Sequence, residues 1–154
     1  MAALAYRVTV MTLFKTFDPQ SSTLVGYGVS ALLVSSKDAG NLQGRLAALG
    51  CAVDRLDELY LALESVLDGP VGYDLIVIDC DGLGGLSAGE RAKNLLRIAG
   101  RCPPVILVSR ECGTQVFPNN RFEPVILRAP CSALSLRVGF EHAMQDRIVL
   151  ARAG

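Results

Sequence analysis

The chain has 154 residues, 51% of them apolar and 19% charged. That composition fits one domain with a hydrophobic core and excludes a disordered chain. Its 15 Lys and Arg balance its 15 Asp and Glu, which argues against a nucleic-acid partner because no basic surplus exists to neutralise phosphates, and no apolar run approaches the roughly 20 residues that cross a bilayer, which argues against a membrane span.

Residues 1–28 stand apart as an N-terminal extension to a domain at 29–154. Tyr6 to Phe14 is β-prone, and Asp18-Pro-Gln-Ser-Ser22 reads as a turn. Three readings stay open for this segment: an edge strand, a dimer arm or a mobile leader. From Val29 the pattern becomes regular. Val29 to Val34 predicts a short buried strand. Leu42, Leu46 and Leu49 have helical spacing, and Gly50 follows as a stop. Cys51 to Leu56 predicts a second strand. Glu58 to Leu67 predicts a second helix, ended by Gly69-Pro70. Leu75 to Ile78 is wholly apolar, as in a central parallel strand covered on both faces. Ser87 and Glu90 have the spacing of a capping box for a third helix running to about Ala99, with Gly100 as its stop. Val105 to Val108 and Pro124 to Leu127 predict two further strands. Ser132 is placed to cap a last helix that carries Leu136, Phe140, Met144 and Ile148 and runs to about Ala151.

Strands alternating with helices predict an α/β doubly wound parallel sheet with helices on both faces. Five strands suit the flavodoxin-like order 2-1-3-4-5, in which chemistry sits at the carboxyl ends of the strands. Ser35, Ser36, Lys37 and Asp38 follow the first strand. Asp79, Cys80 and Asp81 follow the third, before Gly82-Leu-Gly-Gly85. Ser109 and Arg110 follow the fourth, and Arg128, Ala129 and Pro130 the fifth.

Over about residues 29–145 this set resembles the receiver domain of two-component response regulators. Asp74-Leu-Ile-Val-Ile-Asp79 with its Gly-rich turn is the strongest element of the likeness. The resemblance implies that Asp79 holds the phosphoacceptor position and that Ser109 holds the position of the Thr or Ser that contacts the phosphoryl group. It also exposes departures. The acidic pair that holds magnesium in receivers aligns with Ser35 and Ser36, and the Lys before the conserved-pattern Pro aligns with Ala129. Arg128 lies one position early, so its side chain is expected on the opposite face of the strand. Phosphoryl transfer needs compensation of the oxygens' charge, which magnesium supplies while one or two carboxylates hold the ion. Two serines carry no charge. The resemblance therefore implies a degenerate receiver, or pseudo-receiver: no enzyme, but a cytoplasmic protein-interaction module of bacterial signalling. Its partners would be a histidine kinase, another signalling protein or a second copy through the last helix. It implies no cofactor, with magnesium entering only if Asp79 is phosphorylated.

Two alternatives remain at this level. In one, Asp38 or Asp81 substitutes for the lost pair in a working single-domain regulator phosphorylated on Asp79, although Asp81-Gly82 also suits a plain turn. Or the chain is a flavodoxin-like domain that binds a small molecule at the strand ends. Residues 110–121 include Gly113, Pro118 and Asn119-Asn120, which predicts a loop or short turn where receivers have a fourth helix. Cys131 to Arg137 matches Cys-x5-Arg, the phosphate loop of cysteine phosphatases, but the segment lacks Gly. His142 reads as an ordinary helix residue. The five cysteines, an odd number with no CxxC pair, argue against a disulfide framework or zinc site and suit a reducing compartment.

Overall fold

Five apolar segments pair side by side in parallel, and their connections place helices on both sides of the resulting sheet. A computed structural model describes residues 25–36, 41–69, 72–120 and 122–145. In chain order the elements are β1 (Ser30–Val34), α1 (Asn41–Ala48), β2 (Ala52–Leu56), α2 (Leu59–Asp68), β3 (Leu75–Asp79), α3 (Leu86–Ile98), β4 (Val105–Ser109), β5 (Val125–Arg128) and α4 (Ala133–Ala143). The strand order is β2-β1-β3-β4-β5, as the alternation of strands and helices predicts. The extension before Val25, Asp38 with Lys37, and the last helix beyond Gln145 lie outside the described residues.

Period-two alternation divides the core into two layers. Ala31, Leu33, Leu75, Val77, Ile106, Val108, Val125 and Leu127 face α1 and α4, where they meet Leu42, Leu46, Leu136 and Phe140. Leu32, Val34, Ile76, Ile78, Val105 and Leu107 face α2 and α3, where Ala62, Ala92 and Leu96 close the second layer. Both faces of β1, β3 and β4 are therefore covered, which is why their sequences are nearly continuous in apolar residues. At the opposite end of the sheet from the site, the Ser30 N–H donates to Asp74 Oδ2 at 2.9 Å. The turn at 25–28 is already tied to the core, because the Gly26 N–H donates to the Leu49 carbonyl at 2.7 Å.

The helix limits follow local chemistry at α1, α4 and the end of α3. Gly50 and Gly100 take φ of 105° and 78°, the left-handed region that a helix stop needs and that glycine enters most easily. Ser132 caps α4, its Oγ accepting from the Ser135 N–H at 3.0 Å. The start of α3 differs from the capping-box expectation. The helix begins at Leu86 with Gly85 as its N-cap and no side-chain cap bond, so Ser87 lies inside it. Its first free amide, that of Leu86, instead donates to the carboxylate of Glu111 at 2.8 Å.

No helix forms between β4 and β5 among the described residues. The connection turns at Arg110, then runs back along the sheet edge, where Val116 makes an isolated antiparallel bridge with Ile126. Its two hydrogen bonds measure 2.9 and 3.0 Å. This short pairing blunts the β5 edge, which would otherwise present unpaired backbone groups. The last helix anchors the same loop: Gln145 Nε2 donates to the Pro118 carbonyl at 3.1 Å, and the Phe117 and His142 rings lie 5.5 Å apart.

Candidate functional site

The carboxyl ends of β1, β3 and β4 bring Ser35, Asp79, Asp81 and Ser109 to one edge of the sheet. Ser35 and Ser109 are buried, at 1% and 0% exposure. Asp79 closes β3, and its Oδ2 accepts from Ser35 Oγ at 3.2 Å. The chain then makes a single 3-10 turn, Cys80–Gly82, that points Asp81 toward β4. This turn is tightly built. A Cβ on Gly82 would collide with Ser36 Oγ. A Cβ on Gly89 would lie 2.6 Å from Cys80 Sγ, so only glycine lets α3 approach that closely.

Asp81 is a linking residue rather than a plain turn residue. Ser109 Oγ donates to Asp81 Oδ1 at 2.8 Å. The Arg110 N–H donates to both carboxylate oxygens, at 3.2 and 3.0 Å. Ser109 Oγ in turn accepts from the Glu111 N–H at 3.0 Å. The Arg110 side chain adds little, since its Nε stands 4.0 Å from Asp81 and the side chain is 84% exposed. The hydroxyl of Ser109 is thus committed to Asp81.

Two residues of this region escape a reading of motifs. Arg55, on β2, donates from Nη2 to the Ser35 carbonyl at 3.1 Å and brings a guanidinium to the end of β1. Its signal in the sequence is the charge it places on the same face as Val53, a face that is otherwise core. Glu111 carries no local signal, because its partner, Leu86, is 25 positions away in the chain.

The remaining candidates are placed elsewhere. Arg128 donates to the carbonyls of Cys112 and Gly113 and holds the loop that replaces the helix. Ala129 packs against the layer beneath α1 and α4, and its peptide bond to Pro130 is cis. Cys131 is half-buried, and burial pushes its thiol up, only partly offset by Arg45; a phosphatase nucleophile needs the opposite shift. Arg137 pairs with Glu141 one helical turn on, at 3.4 Å.

The magnesium ion of the receiver fold finds few donors here. Among the described residues no group of three or more His, Cys, Asp or Glu is placed to hold a metal. Among the described residues at the ends of β1 and β3, Asp79 is the only carboxylate that is not already bonded to a β4-loop amide, and the neighbouring Ser35 and Ser36 bring no charge. The described donor set does not fit the ion.

The fold is that of receiver domains. The signal receiver domain of a Luxo repressor protein from Vibrio parahaemolyticus superposes with a TM-score of 0.61 at 14% identity, covering 82% of this chain and 98% of the other. The N-terminal domain of a response regulator/sensory box/GGDEF three-domain protein from Carboxydothermus hydrogenoformans gives 0.59 at 20% identity, with 81% and 99% covered. A Francisella response regulator receiver domain gives 0.56 at 22% identity, with 76% and 98% covered. No family model matches the chain, and no curated protein matches it. No helix among the described residues is long and apolar enough to cross a membrane.

Proposed function

We propose that this chain is a pseudo-receiver: a non-enzymatic protein-interaction module of bacterial two-component signalling, working in the cytoplasm, in which Asp79 does not undergo the usual magnesium-dependent phosphorylation. Its partners are a histidine kinase or another signalling protein, or a second copy through the last helix. One observation carries the reading. The Ser109 hydroxyl, at the position that contacts the phosphoryl group in receivers, is donated to Asp81 at 2.8 Å. The charge arrangement supports it, since Ser35 and Ser36 stand where the acidic pair would be and Ala129 where the Lys would be. A phosphoryl group arriving on Asp79 would meet neither a full metal site nor the lysine cation. Its charge would also stand close to the Asp81 carboxylate.

Thermal unfolding with magnesium and beryllofluoride, a phosphoryl mimic for aspartate, tests this. A ligand present at about 100 times its Kd stabilises the native state by about 2.7 kcal/mol, which raises Tm by about 5–10 °C for a chain of this size. The pseudo-receiver reading predicts no shift. A rise of that size, abolished in Asp79→Asn, would overturn it.

A further inference from the structure

The loops after β3 and β4 hold one another through two carboxylates. Asp81, from the β3 loop, accepts the Ser109 hydroxyl and the Arg110 amide of the β4 loop. Glu111, from the β4 loop, accepts the Leu86 amide that opens α3. The two halves are joined through Ser109 Oγ, which donates to Asp81 and accepts from the Glu111 amide at 3.0 Å. Space is reserved for the arrangement. Gly85 takes φ 88° and ψ −176°, and a Cβ there would lie 2.9 Å from Glu111 Oε1. Hydrogen bonds to an ionised acceptor are stronger than neutral ones; Ser109 itself is fully buried, and its bonds to Asp81 and the Glu111 amide are partly buried.

We propose that Asp81 is a built-in anion that takes, for Ser109 and Arg110, the place a phosphoryl group on Asp79 would fill, and that with Glu111 it locks both loops into one arrangement independent of Asp79. The meaning given to the lock rests on the receiver reading; the lock itself does not. A phosphoryl group is transient, whereas Asp81 is permanently attached, so the β4 loop is held continuously. Asp79 takes no part in these bonds, and its described partner is Ser35 on the other side of β3.

Native-state hydrogen exchange by NMR on the full chain tests the lock. In Asp81→Ala the Arg110 amide loses a charge-assisted but exposed bond, and its exchange rises by about fivefold or more. The Glu111 and Leu86 amides speed up with it, because Ser109 loses its anchor. The core amides of Val77 and Leu107 keep their rates. In Asp79→Ala all of these rates stay within about twofold of wild type. The proposal fails if Glu111 and Leu86 keep full protection in Asp81→Ala, or if Asp79→Ala releases the three loop amides. If Asp81→Ala also loses core protection, Asp81→Asn replaces it: the neutral amide oxygen weakens Arg110 protection several-fold with the core intact, and an unchanged Arg110 rate overturns the proposal. Magnesium-dependent phosphorylation of Asp79 in wild type would sink the pseudo-receiver reading and leave these exchange results standing, so the two failures are separable.

Discussion

Replacing Gly85 by Ala should destabilise the chain through two effects that a second substitution separates. The first is backbone strain. At φ 88° and ψ −176° the residue lies in a region used almost solely by glycine, and an L side chain there costs about 1–3 kcal/mol. The second is displacement. The new methyl would stand 2.9 Å from Glu111 Oε1, so the carboxylate must leave the Leu86 amide. A charge-assisted bond is worth about 1.5–3 kcal/mol, and exposure brings this one down to about 1 kcal/mol. Gly85→Ala should therefore cost about 2–4 kcal/mol, and Glu111→Ala about 1 kcal/mol. The double variant should cost no more than Gly85→Ala alone, because the bond is lost only once. Urea unfolding of the four proteins measures this, with a coupling of about 1 kcal/mol expected. Distant, independent sites add within about 0.3–0.5 kcal/mol. If the two single costs add within that margin, Glu111 does not share space with residue 85 and the interlocked-loop geometry is wrong.

Phe140 is 2% exposed in the layer beneath α1 and α4, so Phe140→Ala should cost about 3–5 kcal/mol in urea unfolding; a cost below about 1 kcal/mol would contradict its place in the core. Burial pushes the Cys51 thiol from 9.0 to about 11 and the Cys80 thiol to about 12. The unfolded chain then loses these protons first, and stability falls as pH rises above 9. Cys51→Ala/Cys80→Ala should flatten that fall in urea titrations between pH 9 and 11 relative to wild type; an equally steep fall would refute it. Arg128→Ala should free the 110–120 loop, since the guanidinium holds the Cys112 and Gly113 carbonyls. Limited proteolysis should cut there several-fold faster, and an unchanged rate would show that the Val116–Ile126 bridge alone fixes the loop.

The fold is legible in the chain because local patterns and the global arrangement agree. Leu75 to Ile78 and Val105 to Val108 are apolar because both faces of β3 and β4 are covered. Leu42 and Leu46 are spaced for one helix face, and Gly50 and Gly100 mark stops that the backbone angles bear out. Gly113, Pro118 and the Asn pair forecast the missing helix. The errors arise where the partner is distant in sequence. Ser87 and Glu90 have capping-box spacing, yet Gly84 and Gly85 turn the chain with φ of 113° and 88°, and Glu111 supplies the acceptor from another loop. Asp81 before Gly82 suits a local turn, and the turn is there. Its carboxylate, though, bonds across to β4, which no local pattern encodes. The pairing of Val116 with Ile126 is likewise set by the free edge of β5 rather than by its own residues.

Intact mass of the full chain after incubation with acetyl phosphate, with and without magnesium, tests the central claim most directly. The wild type should gain no phosphoryl group while it stays folded. A Ser35→Asp/Ser36→Asp/Asp81→Ala/Ala129→Lys variant, which restores the missing charges and frees the Ser109 hydroxyl from Asp81, should gain one with magnesium and lose it when Asp79→Ala is added. A magnesium-dependent adduct on wild type that disappears in Asp79→Ala would contradict the claim and establish Asp79 as a working phosphoacceptor.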